Sequence, residues 1–455
     1  MLLLGVSDMH ENILGRENIF KLFIKYSIPT IAGMFFLGLN TVVDGFFVGN
    51  YIGAAALATV NIAMPFTSIM LAAGVVIGIG AQSVIGRKLG EGKTGEAADA
   101  FRTALILIST LSVGMSAAAV GFSSRIAGLL GANEHLMPLA ASYIYYLGLF
   151  LPFLGIMFVL DYVLKVMARP VYAMLALIVA VASHMLLNYL LIVRLGMGVK
   201  GAALATGLGY TIACIMAVLP FLTGKTSLKI GGGSFDKKLA GNIIYNGSSE
   251  GLTEVGTGIT TFLFNITLMR HVGEMGVAAF TAVSYLSFIS NNILIGLSDG
   301  VGAIISYNYG SGRLDRVKTA LKLAASSALF IGVIIFILIS LYNRQMIGLF
   351  LDAGSGEVLD FAAFGARLYA FAFLVNGLNI VISGYFTAIG KPKSAALIAV
   401  SKGIVWVAAG VAVLPELLGI RGIWLTVPIA EGITIILSAF MMYAHFKPKL
   451  TGKTK

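Results

Sequence analysis

The chain has 455 residues, of which 58% are hydrophobic and only 11% charged, with a formal net charge of +11. Soluble domains carry about 25% charged residues, so a mean hydropathy of +0.94 excludes a soluble multidomain enzyme and implies an integral membrane protein. The basic excess is no nucleic-acid patch, because Lys and Arg sit in short connectors between apolar runs. A single cysteine, Cys214, inside an apolar run excludes a disulfide and a Cys-rich metal site.

A helix needs about 20 mostly apolar residues to cross a bilayer. In chain order, twelve such runs stand between polar connectors: 20–48, 54–86, 97–122, 136–166, 172–193 and 201–222, then 239–269, 277–307, 317–342, 361–389, 394–414 and 422–445. The predicted fold is an all-α membrane protein of twelve transmembrane helices in two pseudo-symmetric six-helix lobes. Its expected division is an N-terminal lobe over 1–222, a cytoplasmic linker over 223–236 and a C-terminal lobe over 237–455. The short apolar start, Leu2–Leu4, has no cationic segment before it, so no cleaved signal peptide is expected.

Basic residues orient such a chain, since cytoplasmic connectors carry the excess of Lys and Arg. Placing the N-terminus inside sorts 23 basic residues to the cytoplasm and 7 to the outside, with Lys402 left within a span. Both termini are therefore expected in the cytoplasm, with the protein in the cytoplasmic membrane.

Shifting the chain by 220 residues superposes Gly53 on Gly273, Gly90 on Gly310 and Gly92 on Gly312. A shift of 222 puts Arg169-Pro170 on Lys391-Pro392. Six spans per half make these parallel repeats, the arrangement that lets one half rock against the other in alternating access.

Three segments carry a resemblance to a known family. They are Asn40-Thr41-Val42-Val43-Asp44, the stretch from Gly80-Ala81-Gln82 to Gly90-Glu91-Gly92-Lys93, and Ile304-Ile305-Ser306-Tyr307-Asn308-Tyr309-Gly310 with Gly312 and Arg313. Together they resemble the multidrug and toxic compound extrusion (MATE) family in its bacterial branch, over essentially the whole chain. The resemblance implies a secondary antiporter that exports organic cations and other amphipathic compounds against protons or sodium.

It also implies site residues. The N-lobe coupling site would combine Asp44 with Asn40, His184, Asn188 and Thr206. Here the chain departs from the family pattern: Asn188 replaces an acid common in the fifth span, and His184 stands where an amide is usual. One carboxylate fewer weakens a sodium cage, whose hard cation favours clustered oxygens, while an imidazole beside Asp44 favours proton exchange. Sodium at Asp44 stays open, and no other metal or cofactor is expected. Pro29, fifteen residues before Asp44, is a candidate hinge or a static kink.

Charge inside a membrane costs at least about 2.5–3.5 kcal/mol, so each remaining acid needs a reason. Glu254 and Glu250, four apart on one helix face, are cleft candidates together with Asn265, Glu431 and Asp299. The competing reading pairs Glu254 or Glu250 with Lys402, and Arg367 with Glu431 or Asp299. Asp161 and Lys165, also four apart, read as a structural pair. Gly45/Gly49, Gly74/Gly78, Gly247/Gly251 and Gly296/Gly300 have the small-xxx-small spacing of close helix contacts.

Two other functions compete. A lipid-linked oligosaccharide flippase would need a cleft rich in Arg and Lys to hold pyrophosphate, whereas the deep residues are mainly acids. A membrane-embedded enzyme lacks support, since no span carries a His-Glu-x-x-His or Gly-x-Ser-x-Gly motif. The expected partners are small amphipathic or cationic substrates and the lipid bilayer, with no nucleic acid, for a chain acting as a monomer.

Overall fold

In hydrocarbon every backbone amide must be satisfied within the protein, and the long apolar runs answer this by coiling. The computed structural model describes residues 13–351 and 356–447, and its regular elements there are all helices. Leu2–Leu4, both chain termini and the basic residues Lys449, Lys453 and Lys455 lie outside the described residues.

The first half contains α1 (Ile13–Arg16), α2 (Ile19–Tyr51), α3 (Ala54–Gly90), α4 (Thr94–Leu129), α5 (Met137–Gly148), α6 (Leu151–Val166), α7 (Pro170–Asn188) and α8 (Gly198–Leu222). The second half contains α9 (Lys237–His271), α10 (Glu274–Gly310), α11 (Leu314–Ile347), α12 (Gly356–Tyr369), α13 (Phe373–Ala388), α14 (Pro392–Val400), α15 (Trp406–Leu418) and α16 (Ile420–Phe446). Among the described residues ten helical segments are long and apolar enough to cross a membrane, and α5 with α6, bent by 52°, supplies an eleventh. The twelfth expected run is α9. Its 35 residues reach about 52 Å, but Asn242, Asn246, Ser248, Ser249, Glu250 and Glu254 make it the polar exception.

Helix irregularities repeat with the period of the sequence. Non-helical backbone occurs inside α4 at Phe122 and inside α11 at Tyr342, 220 positions later. The run expected at 136–166 breaks between α5 and α6, and the run at 361–389 breaks at the 3-10 turn Ala370–Ala372. A π turn, Tyr189–Arg194, extends α7, and a second one, Ser401–Val405, joins α14 to α15. Such π turns widen a helix by one residue and re-aim side chains, a device frequent at functional sites.

Two compact units emerge. Unit 1 is Met1–Gly251 with Phe288–Ala324 and Thr387–Pro392; unit 2 is Leu252–Ser287 with Ala325–Phe386 and Lys393–Lys455. Unit 1 gathers the start of α9 and the end of α10 because glycines let backbones meet there. A Cβ on Gly247 would strike the Val76 carbonyl, one on Gly86 the Ser306 side chain, and one on Gly90 the Tyr307 carbonyl. Gly310 meets Arg87 in return, so positions 220 apart pack against each other. At the end of α13, Ser83 donates to the Thr387 carbonyl at 2.6 Å, and Arg87 donates to the Ala388 carbonyl at 3.0 Å. The linker is held to α4: Ser234 N–H donates to Asp99 at 2.6 Å, Asp236 N–H donates to Thr103 at 3.0 Å, and Gly233 takes φ +72°.

Of the four glycine pairs read from spacing, three face close neighbours: Gly74 and Gly78 meet Phe158 and Tyr162, Gly247 and Gly251 meet Val76, and Gly296 and Gly300 meet Thr30. Gly45/Gly49 does not. Gly45 has open space and Gly49 only ordinary contact with Leu57. Cys214 is buried and free, as a packing residue should be.

Candidate functional site

Unit 1 brings together the five residues read for the N-lobe. Asp44 lies seven residues before the end of α2 at Tyr51, about 10 Å along the helix and deeper than the 48-residue boundary implied. The π turn that follows Asn188 begins where α7 passes this level. His184 and Asn188, four apart on α7, share one face that looks toward Asp44, and Thr206 reaches in from α8.

The hydrogen bonds converge on the imidazole. His184 Nδ1 lies 2.7 Å from Asn40 Oδ1, and its Nε2 lies 3.0 Å from Asn188 Nδ2, 3.1 Å from Thr206 Oγ1 and 3.4 Å from Asp44 Oδ1. Asn188 Nδ2 also points at Asp44 Oδ1 from 3.5 Å. The amide oxygen of Asn40 makes Nδ1 the proton carrier of the neutral ring, leaving Nε2 to accept from Asn188. The Thr206 hydroxyl instead donates to the Ala202 carbonyl at 3.1 Å. The His184 side chain is 4% exposed and that of Asp44 20%, so the base is sealed and the acid has an outlet. Leu37, Asn40, Ala180, His184, Thr206 and Tyr210 line a small hollow beside them. Asn188 Oδ1 is buried without a hydrogen-bond partner.

Unit 2 holds a second polar centre that the sequence did not reveal. Lys402, in the second π turn, donates to Glu431 Oε1 at 3.2 Å and to Asn376 Oδ1 at 3.1 Å. Asn379 donates to Glu431 Oε2 at 2.7 Å and accepts from Ser438 at 2.9 Å. Glu431 is thus a satisfied, buried carboxylate.

Two expected pairings are overturned. Lys402 binds Glu431, not Glu254 or Glu250, because the π turn aims its ammonium at α16 and α13. Arg367 is exposed in the last turn of α12 and pairs with neither Glu431 nor Asp299. Glu254 is exposed in unit 2 and has no ion pair or hydrogen bond among the described residues, while Glu250 lies half-buried in unit 1. Asn265, in unit 2, keeps a buried Oδ1 without a partner. Asp161 pairs with Lys165 at 2.6 Å as expected, and Asp299 joins that lysine from 3.9 Å. Pro29 is buried within α2, which continues through it to Tyr51.

With this geometry in hand, comparison with known proteins is decisive. The MatE family model matches residues 29–190 and 255–408, more than half of the chain. The chain belongs to the MatE family. The multidrug export protein MepA of Staphylococcus aureus is 24% identical over 443 residues, covering 96% of both chains. A MATE structure in complex with MaL6 superposes with a TM-score of 0.91 at 21% identity, covering 96% of this chain and 98% of that one. A MOP-superfamily transporter from Pyrococcus furiosus, whose binding pocket of reverse polarity suggests a different function for it, gives a TM-score of 0.89 at 23% identity, covering 96% of this chain and 97% of that one. The fold of this MatE protein is therefore the twelve-helix, two-lobed membrane fold that the motifs implied.

The matched MatE segments contain Asn40, Asp44, His184 and Asn188 but stop short of Thr206. They also contain Lys402 and leave out Glu431. Residues that sequence reasoning missed are Asn376 and Asn379, three apart at the start of α13, and Tyr143, buried with its hydroxyl near Thr206. Two amides within one turn of an otherwise apolar run were the available signal for the first pair. Tyr143 carried none.

Proposed function

We propose that this MatE protein is a secondary antiporter that exports organic cations and other amphipathic compounds by alternating access, with protons as the coupling ion and Asp44 as the acid that carries them. The observation that carries this reading is the single carboxylate of Asp44 facing His184 at 3.4 Å inside a membrane helix. Sodium prefers several hard oxygens, and here one carboxylate is surrounded by an imidazole, two amides and a hydroxyl. With a proton on Asp44, a carboxylate oxygen becomes a donor that faces His184 Nε2 across the 3.4 Å contact. The centre has two hydrogen-bonding arrangements, selected by one proton.

Competition supplies the exchange. A cationic substrate and a proton compete for the same carboxylates, so each displaces the other. A one-for-one exchange of a proton for a monovalent cation moves no net charge, so the pH gradient drives it, at about 1.4 kcal/mol or tenfold accumulation per pH unit. Pro29 leaves the helical ladder of α2 one hydrogen bond short, which makes it the hinge through which the state of Asp44 bends the helix. Glu254, exposed and unpaired, is the cleft acid that receives cationic cargo. The two-lobe division at 222 and 237, cytoplasmic termini in the inner membrane, action as a monomer and the absence of enzymatic chemistry complete the proposal.

The multidrug role of the Staphylococcus relative agrees with this reading. A flippase for pyrophosphate-linked sugars fits less well, because both deeply placed lysines, Lys165 and Lys402, already hold carboxylates. The test is efflux of a cationic dye from proteoliposomes under an imposed pH gradient or an imposed sodium gradient. Efflux driven by the pH gradient alone supports the proposal, and efflux that needs sodium refutes its choice of ion.

A further inference from the structure

A second charge centre in unit 1 is separate from Asp44 and rests on none of the transport reading. Asp161 and Lys165 of α6 pair at 2.6 Å, and Asp299 of α10 lies 3.9 Å from the same ammonium. The side chains of Asp161, Lys165 and Asp299 expose only 8%, 2% and 7% of their surface. The ammonium is oversupplied, since it also sits 4.5 Å from the centre of the Tyr162 ring, within cation–π range. The acids are undersupplied. Asp161 Oδ1 and Asp299 Oδ2 are both buried without a hydrogen-bond partner.

Charge counting makes the imbalance chemical. Two carboxylates against one ammonium leave one negative charge, and a buried ion without a partner is neutralised far more cheaply than it is kept. Among the described residues, Lys165 is the cation that an ion pair places against these acids, and α2, which meets α10 at Gly296 and Gly300, brings Thr30 and the buried Tyr26 there. On α6, Tyr162 adds only a hydroxyl beside Asp299. On α9, Glu250 adds negative charge near Tyr162. On α3, Gln82 gives its amide to the Asp299 backbone carbonyl at 3.2 Å, not to its carboxylate.

We propose that this cluster binds one exchangeable proton, carried by Asp299 as the acid with the longer link to Lys165, and is a proton site in its own right. The step is simple protonation: a carboxylate oxygen takes H⁺ from water, no other bond changes, and the cluster becomes neutral. The new O–H turns one orphaned acceptor into a donor. Asp161 keeps its pair with Lys165 at 2.6 Å. Because the folded chain then holds a proton that the unfolded chain releases at neutral pH, stability should fall as pH rises and the proton leaves.

The test uses the full chain, purified in lipid, as wild type, D299N and D44N. An infrared difference spectrum between about pH 5 and about pH 9 should contain the carbonyl stretch of a buried protonated carboxyl. That signal should be lost in D299N and kept in D44N. Thermal melting over the same range should fall with pH for the wild type and stay flat for D299N, whose cluster is neutral throughout. If D299N does not fold, D161N serves instead, since it leaves Lys165 to neutralise Asp299 and removes the same signal. A wild-type spectrum without the carboxyl band, a band that survives in D299N, or parallel melting curves would overturn the proposal. Stabilisation by sodium at high pH that D299N abolishes would also overturn it, in favour of a metal-cation site.

Discussion

His184 turns its Nε2 toward Asp44 Oδ1 at 3.4 Å while its Nδ1 is held by Asn40 at 2.7 Å. The ring is therefore fixed in orientation as the group that faces Asp44. His184→Gln keeps a hydrogen-bonding side chain and removes the imidazole. Dye efflux under an imposed pH gradient should fall by tenfold or more (about 1.4 kcal/mol), with equal amounts of folded protein in the membrane. Undiminished efflux would assign His184 to packing alone.

Lys402 and Glu431 form a buried pair in which each satisfies the other. Removing one partner of such a pair costs about 3–5 kcal/mol, whereas replacing both by apolar groups is often neutral. Lys402→Met and Glu431→Gln should each lower the melting temperature clearly. The double variant with Glu431→Leu should recover much of the loss, although Asn376 and Asn379 lose partners in it. Equal melting of the wild type and both single variants would contradict the assignment.

The contact of Gly90 with the Tyr307 carbonyl leaves no room for a side chain. Gly90→Val should cost about 1–3 kcal/mol through overpacking. Gly45→Ala, with open space around it, should instead hold or slightly raise stability through helix propensity. Thermal melting of both variants in one detergent distinguishes them, and equal losses would mean that α3 and α10 do not meet here.

Pro29 sits in a helix that is continuous around it. Pro29→Ala restores a backbone donor, so melting temperature should stay level or rise while the dye-efflux rate falls. Full efflux with raised stability would leave Pro29 as a static feature.

Much of this could be read from the chain itself. All twelve expected runs are helical among the described residues, eleven of them long and apolar enough to span and α9 the polar exception, and the spacing of Asp161 and Lys165 gave a true pair because four residues is a geometric neighbourhood on a helix. Spacing says nothing about which helices touch. Lys402 therefore looked available to Glu254, although a π turn aims it at Glu431, and Asp299 looked like a cleft acid although it belongs with Lys165. The breaks at Phe122 and Tyr342 were also hidden, since neither a Pro nor a Gly stands at those positions to mark them. The Asn40, Asp44, His184, Asn188 and Thr206 set was legible only through resemblance. No periodicity connects residues on three helices.

Asp44→Asn in proteoliposomes is the most direct measurement, because the substitution keeps shape and removes the ionisable group. Under an imposed pH gradient, the wild type should export a cationic dye and Asp44→Asn should not, with equal amounts of folded protein in the membrane. Undiminished export by Asp44→Asn would contradict the account.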